Sequence, residues 1–209
     1  MTPTNASPLI RKATPADHDA LFEICLKTAE AGEDATELYG DPRLPGYIWA
    51  AAYGELEPDF AFVLATPDRV TGYVLAAPDT AAFAERLETE WWPHVRMEIA
   101  GYVPKRPSDA AALAYIANPQ RHAAWLQANY PAHMHINLLP EAQSSGWGRR
   151  LIDTELAALK AHGVAGVHLG LSPKNERAKG FYEHLGFEDR KSTRLNSSHL
   201  PTSRMPSSA

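Results

Sequence analysis

The sequence predicts an α/β fold, and the alternation of strand and helix patterns in its second half carries this prediction. Residues 133–139 and 164–171 are rich in β-forming residues. Between them, residues 146–161 place apolar side chains at helical spacing, and residues 175–185 form a further helical segment, which Gly186 ends. Two strands joined by a helix are expected to be parallel, so this half predicts a β-α-β-α unit.

The first half adds strands and a long helical region. A strand at 9–13 leads into a helix at 16–29, and residues 61–65 and 70–77 predict a hairpin. The stretch 79–131 carries mostly helical patterns. We therefore expect it to form a helical insertion that caps one end of the fold.

The composition predicts one soluble, cytoplasmic domain. The chain has 209 residues, 44% of them hydrophobic and 22% charged, which is enough to bury a core. No apolar run reaches the ~18 residues that span a bilayer, and the N-terminus lacks the plan of a signal peptide. The single cysteine, Cys25, excludes an internal disulfide and favours a reducing compartment. The net charge of −5 argues against a nucleic-acid partner, and no Cys/His spacing predicts a metal site.

The last 21 residues, 189–209, differ from the rest of the chain. They contain six serines, two prolines and no aromatic residue, a composition typical of a disordered tail. Residues 189–199 also resemble the translation of a common sequencing adapter, and residues 203–209 resemble the continuation of that adapter. We therefore expect a domain at 1–188 followed by a non-native tail, with the authentic sequence interrupted near Glu188.

A glycine-containing window at 140–151 is the first candidate for a binding site. Gly146 and Gly148 lie between a strand and a helix, where they let the backbone approach a ligand closely. The amides at the start of that helix are unsatisfied donors that bind phosphate, and Arg149 and Arg150 add positive charge. The window is neither a Walker A loop nor a dinucleotide fingerprint, and a purely structural turn stays open.

A second window, 175–187, helps to decide between a binding site and a purely structural turn. Together the two windows resemble the acetyl-CoA site of the GNAT superfamily of N-acetyltransferases. The matching positions are Gln143, Gly146, Gly148, Asn175, Ala178, Phe181, Tyr182, Gly186 and Phe187.

This resemblance implies a fold and a cosubstrate. The fold is a mixed, mostly antiparallel sheet flanked by helices, in which the parallel strands near 133–139 and 164–171 splay apart to admit acetyl-CoA. The chain beyond Phe187 supplies a terminal strand pair in this family. Because the adapter-like tail stands in that place, the pair is expected to be truncated and one sheet edge exposed.

The resemblance also implies roles for individual residues. The pyrophosphate is expected on the amides of residues 144–149, the pantetheine arm along the end of the first splayed strand, and Tyr182 is expected to protonate the leaving thiolate. Asn175 would hydrogen-bond the cofactor arm. Packing of Tyr182 onto the sheet and helix capping by Asn175 stay open as alternatives. The residues assigned to the cofactor are Leu138, Leu139, Gln143, Ser144, Ser145, Gly146, Trp147, Gly148, Arg149 and Asn175.

At finer grain, most of residues 8–188 resemble the acetyltransferase-like domain of eukaryotic O-GlcNAc hydrolases and its stand-alone bacterial relatives. The segments 133–140 and 166–170 carry this resemblance, as do residues 23–26 followed by 31–35. That branch supplies no acceptor.

The acceptor side is less defined by the sequence. An amine must lose a proton before it attacks, so a carboxylate or histidine is expected nearby, although each candidate is also compatible with a structural role. Trp91 and Trp92 either wall a pocket for a cation or anchor the cap helix. The candidates for the base are Asp79, Glu88, Glu90, Glu98, His133, His135 and His168.

These observations predict an acyltransferase that moves an acetyl group from acetyl-CoA to a small-molecule or peptide amine by direct attack. The alternative is a catalytically silent CoA-binding or scaffold domain. A homodimer stays open, and neither a nucleic acid nor a membrane is expected as a partner.

Overall fold

A computed structural model describes residues 7–188 and 202–204 of the chain. Its centre is a six-stranded sheet in the order β1-β2-β3-β4-β5-β6, which is also the order along the chain. The strands are β1 (Leu9–Lys12), β2 (Ala61–Ala65), β3 (Val70–Ala77), β4 (Ala132–Leu138), β5 (Gly166–His168) and β6 (Thr202–Arg204).

The sheet is mixed and mostly antiparallel, as predicted. Only β4 and β5 are parallel to each other, and their pairing is restricted to Ala132 with Val167 and His133 with His168. Strand β4 continues to Leu138, whereas β5 ends at His168. The two strands therefore separate after the first pairs, which confirms the predicted splay.

Helices cover both faces of the sheet. The segment between β3 and β4 is helical along much of its length, and within it a π-helical turn, Leu87–Trp91, joins two helices. The turn precedes Pro93, which has no amide hydrogen to continue a regular α-helix. The helices are α1 (His18–Leu26), α2 (Leu44–Trp49), α3 (Ala51–Leu56), α4 (Thr80–Arg86), α5 (Trp92–Glu98), α6 (Pro107–Ala117), α7 (Ala124–Asn129), α8 (Trp147–Ala161) and α9 (Glu176–His184).

The pleat of the sheet separates two hydrophobic cores. Tyr73 and Leu75 on β3 point to the core formed with α1–α3 and the segment between β3 and β4. Val74 and Ala76 point to the opposite core, where α8 packs. No helix in residues 7–188 is long and apolar enough to cross a membrane.

Some elements are shorter than their sequence patterns. The predicted strand 164–171 keeps only three residues in the sheet, because the chain leaves β4 at the splay. Within the predicted helical stretch 79–131, the last helix begins only at Ala124. Residues before it instead form an irregular segment that brings His122 to the sheet.

The predicted open edge beside β5 is not observed. Residues 202–204, from the segment expected to be a disordered tail, pair antiparallel with β5. An edge strand presents a row of unpaired amides and carbonyls, and such a row accepts any extended segment within reach. The other residues of the predicted tail, 189–201 and 205–209, lie outside the described part of the chain.

Candidate active site

A cleft of about 1370 Å³ opens where β4 and β5 separate. The start of α8 and the start of α9 border one end of it. The other end is walled by residues of the segment between β3 and β4, among them Phe83 and Trp125. The cleft thus runs from the glycine-containing loop to the helical insertion.

The loop between β4 and α8 adopts a tight conformation. Ser144 and Gly146 both have positive φ, 63° and 77°. The first backbone bond that enters α8 from its N-cap runs from the amide of Arg150 to the carbonyl of Gly146 at 3.2 Å. The amides of Trp147, Gly148 and Arg149 precede this bond and form the donor end of the helix dipole, which favours an anion.

Gly148 permits a close contact between α8 and α9. A Cβ atom at this position would lie 3.2 Å from Cζ of Phe181 and 3.8 Å from a methyl group of Leu138. Any larger side chain would displace Phe181 or project into the cleft.

Gln143 and Asn175 both make hydrogen bonds within the protein. The side-chain amide of Gln143 donates to the carbonyl of Leu138 at 2.9 Å and so ties the loop to the end of β4. Asn175 accepts the amide of Ala178 at 2.9 Å, which makes it the N-cap of α9. Its amide nitrogen faces Gly32, where an added Cβ would lie 3.1 Å away. The capping alternative for Asn175 is therefore observed, and it leaves the amide hydrogens of Asn175 for a further partner.

Tyr182 lies on the wall of the cleft and is buried. Its ring packs between Phe181 and Phe187, with ring-centre distances of 5.4 and 5.5 Å. Burial raises the pKa of Tyr182. No hydrogen-bond partner of its hydroxyl occurs in the described residues. The phenol therefore stays protonated at neutral pH and has a proton to donate.

The three predicted histidines converge at the point where β4 and β5 separate. His133 and His135 lie opposite Ala77 and Leu75 of β3, which puts them on the same face of the sheet. The ring of His168, on β5, lies 5.7 Å from the ring of His133. His122 completes the group, with its ring 4.9 Å from each of those two rings.

The hydrogen bonds around His133 have a defined direction. Thr80 lies 2.7 Å from the carbonyl of Pro131 and 2.8 Å from Nδ1 of His133. Because a carbonyl cannot donate, the hydroxyl proton of Thr80 goes to Pro131, and Nδ1 of His133 must carry its own proton. Nε2 of neutral His133 then accepts from the hydroxyl of Tyr53, 2.6 Å away.

The same reasoning extends to His135. The hydroxyl of Tyr53 has given its only proton to His133, so it accepts from Nε2 of His135 at 3.1 Å. This assignment leaves Nδ1 of neutral His135 with a free lone pair. Desolvation lowers the pKa of His135 to about 4, so the ring is neutral at pH 7 and its Nδ1 carries no proton.

The carboxylates suggested by the sequence do not gather there. Asp79 caps α4 by accepting two backbone amides. Glu90 pairs with Arg86. Glu98 accepts from Tyr47 at 2.5 Å. Glu88 does line the cleft, and it lies 3.5 Å from Arg96.

The two tryptophans serve mainly as anchors. Both are almost fully buried. The indole of Trp91 donates to the carbonyl of Tyr47 at 2.9 Å, and Trp92 packs edge-on against Tyr115 while bordering the cleft. Tyr53, Thr80 and His122 are the residues of this region that the sequence did not indicate. They come from separate elements and share no spacing with the histidines of β4.

Comparison with known proteins agrees with this fold. The acetyltransferase (GNAT) domain family matches residues 110–189, which include the loop, Asn175 and Tyr182. The crystal structure of SsHAT is 37% identical in sequence, with a TM-score of 0.83, and the match covers 95% of this chain and 96% of that one.

Two further matches are weaker or shorter. The structure of yncA from Salmonella typhimurium with its cofactor acetyl-CoA has a TM-score of 0.53 at 15% identity, over 95% of this chain and 92% of that one. Mycothiol acetyltransferase from Beutenbergia cavernae is 42% identical over 66 residues, which are 30% of this chain and 22% of that protein. The chain thus matches less than a quarter of that relative's length. The family match and the likeness to SsHAT over 95% of the chain, together with the splayed sheet, show that this protein belongs to the GNAT acetyltransferases. These enzymes use acetyl-CoA as acyl donor.

Proposed function

We propose that this cleft binds acetyl-CoA and transfers its acetyl group to an amine. The observation that carries the proposal is the layout of the cleft. Anion-binding amides lie at the start of α8, an acid, Tyr182, lies on the wall, and neutral histidines lie where the parallel strands separate. These are the groups that acyl transfer from a thioester needs, in the order in which an extended cofactor would meet them.

The donor would lie along β4. Its pyrophosphate would accept hydrogen bonds from the backbone amides of residues 144–149, where the dipole of α8 adds positive potential. Beyond its pairs with β5, β4 has backbone groups on that side that can pair with the pantetheine arm as with an added strand. Asn175 would offer its amide hydrogens to the same arm. Leu138 and Leu139 end the strand, with Gln143 bracing the loop beside them.

The reaction would be a direct attack on the thioester. The amine nitrogen forms the new C–N bond, and the C–S bond breaks as the tetrahedral intermediate collapses. Tyr182 would give its proton to the departing sulfur. Nδ1 of His135, directly or through one water, would take the proton that the amine loses. Tyr182 is reprotonated from solvent, so the net products are the amide and CoA with its thiol.

An alternative is a GNAT fold that binds CoA without turnover. Calorimetric titration of acetyl-CoA into the native chain and into Gly148→Glu tests the donor site first. We expect binding to the native chain and none to the variant, because the new side chain enters the space of the pyrophosphate. Release of free thiol in the presence of candidate amines then separates an enzyme from a silent binder. No binding to the native chain would argue for a scaffold.

The finer assignments are part of the same proposal. The resemblance to the acetyltransferase-like domain of O-GlcNAc hydrolases gives a branch of the family but no acceptor, so a small-molecule amine and a peptide amine both belong in the screen. A homodimer stays open and is tested by light scattering.

We also propose a cytoplasmic location, a domain at 1–188 and an adapter-derived tail at 189–209. Reamplification of the source locus tests the tail, because a genomic read that continues into the same sequence would exclude an adapter.

A further inference from the structure

Three histidine rings from separate segments form a triangle beside the cleft, which two of them line. Each of His122, His133 and His168 offers a ring nitrogen, and these nitrogens lie within 4.8 Å of one another. The ring centres are 4.9, 4.9 and 5.7 Å apart. Imidazoles bound to one tetrahedral zinc ion, with bonds of about 2.0–2.1 Å, have their ring centres roughly 5 Å apart. The spacing of the rings therefore already matches that of three ligands around one ion.

Two of the rings make a hydrogen bond through the nitrogen that would face away from the ion, as metal-binding histidines do. Nδ1 of His168 donates to the carbonyl of Tyr130 at 2.9 Å, and Nδ1 of His133 donates to Thr80 at 2.8 Å. In metal sites such hydrogen bonds on the outer nitrogen fix the tautomer and direct the inner nitrogen to the ion. Both histidines are thereby left with Nε2 as the nitrogen that carries the lone pair.

We propose that His122, His133 and His168 form a binding site for a divalent transition-metal ion of the zinc class. The site would use Nε2 of His133, Nε2 of His168 and Nδ1 of His122. It is independent of acetyl-CoA, and its ligands are three neutral nitrogens, the donor set that suits Zn²⁺, Ni²⁺ and Cu²⁺ rather than Mg²⁺ or Ca²⁺. Three histidines also leave one tetrahedral position for water or another ligand from the cleft.

Binding requires only small rearrangements. Nε2 of His168 and Nδ1 of His122 are 2.8 Å apart, whereas two nitrogens on one zinc ion are about 3.3 Å apart. His122 is only partly buried and lies in an irregular segment, so it can move by this amount. The proton now shared between these two nitrogens moves to Nε2 of His122, which keeps that imidazole neutral. The ion also takes the place of the hydroxyl of Tyr53, which now donates a hydrogen bond to Nε2 of His133.

The three imidazoles are available as neutral ligands. Burial lowers the pKa of His122, His133 and His168, so their lone pairs are not lost to protons at neutral pH. His122 and His133 line the cleft, which gives an ion a path from solvent. This convergence arises from the fold, since the three residues belong to β4, β5 and the segment before α7 and share no ligand spacing in the sequence.

The test is a titration of the full chain, free of any affinity tag, with Zn²⁺ and with Co²⁺. We expect one ion per chain and, with Co²⁺, the strong visible absorption of a four-coordinate site. His122→Ala should weaken binding at least tenfold, and it truncates a partly buried side chain in an irregular segment, so the fold should survive. His94→Ala is the matched control, because His94 is exposed and lies outside the cluster, with its Nε2 3.9 Å from Glu98.

A second variant tests which nitrogen of His133 is used. Tyr53→Phe removes the hydroxyl that competes for Nε2, and a hydrogen bond of ~1 kcal/mol corresponds to about fivefold tighter metal binding. A histidine cluster without metal affinity would give no stoichiometric binding, and this would overturn the proposal. Equal affinity in the native chain and His122→Ala would overturn it as well. Because no acetyl-CoA is present, either result is separate from the outcome for the transferase.

Discussion

The hydroxyl of Tyr53 lies 2.6 Å from Nε2 of His133 and at the same time 3.1 Å from Nε2 of His135. One phenol thus links two histidines of the same strand, and its single proton decides which nitrogen of each ring is free. The hydrogen bond between Thr80 and His133 fixes the tautomer of His133. This tautomer then decides which group donates in each of the two hydrogen bonds of Tyr53. The free lone pair is consequently on Nδ1 of His135, a residue that lines the cleft.

This link predicts a graded loss of acetyl transfer. Removing the base in His135→Gln should lower kcat by roughly a hundredfold, within the range of general acid–base catalysis. Tyr53→Phe should lower it by about tenfold, because the ring of His135 is kept but its tautomer is no longer fixed. Both variants should bind acetyl-CoA with native affinity in calorimetry. A Tyr53→Phe enzyme with native kcat would show that the tautomer of His135 does not matter.

Tyr182 gives a second prediction for the chemical step. Tyr182→Phe should reduce kcat by about a hundredfold while the Kd of acetyl-CoA stays within twofold, because only the proton donor is removed. The thiol-release assay measures kcat, and calorimetry measures Kd. Tyr115→Phe is the control, since Tyr115 also lines the cleft but packs against Trp92 at its far wall. A purely structural role of Tyr182 would instead leave kcat unchanged.

Gly148 in α8 and Gly180 in α9 should respond differently to an added methyl group. Gly148→Ala places a methyl group 3.2 Å from the ring of Phe181 and should weaken acetyl-CoA binding severalfold. Gly180→Ala meets no atom within 4 Å, so it should raise the free energy of unfolding by up to ~1 kcal/mol and leave binding unchanged. Calorimetry and chemical denaturation of the two variants measure these effects. Equal binding by both would mean that the approach of Phe181 to Gly148 is not needed for the cofactor.

The sequence indicated more residues at the glycine-containing end of the cleft than at the histidine end, for a physical reason. Gly146 and Asn175 act through local backbone geometry, and local geometry leaves a fixed spacing in the sequence. The histidine end depends on tertiary contacts. Tyr53 meets His133 across 80 residues, and His122 meets His168 across 46, so no spacing could indicate these pairs.

The pairing of β6 was missed for a related reason. The composition of residues 202–204 carries no strand pattern, and their partner is an open sheet edge that exists only after folding. The splay of β4 and β5 was predicted correctly, but only the resemblance to a family implied it. The residue pattern extended the predicted strand to residue 171, whereas β5 ends at His168.

Glu155 makes the stability of the protein depend on pH. It lies on the buried face of α8, and neither carboxyl oxygen has a hydrogen-bond partner in the described residues. Desolvation raises the pKa of Glu155 from 4.5 to about 9. A raised folded-state pKa means that the folded protein holds this proton more tightly than the unfolded chain does. The stability associated with the protonated form is therefore complete below pH 4.5 and is lost as the pH rises towards 9.

Replacing this carboxyl group should remove that loss. Relative to the native chain, Glu155→Gln should have nearly the same free energy of unfolding at pH 4.5 and about 3 kcal/mol more at pH 7, with no further gain above pH 9. Urea denaturation of both proteins at several pH values measures the difference, in which the titration of all other groups cancels. Glu183→Gln, at an exposed position of α9, is the control and should show no such trend. A difference between native and Glu155→Gln that stays constant from pH 4.5 to 9 would mean that Glu155 is ionised in the folded protein and has a partner for its charge.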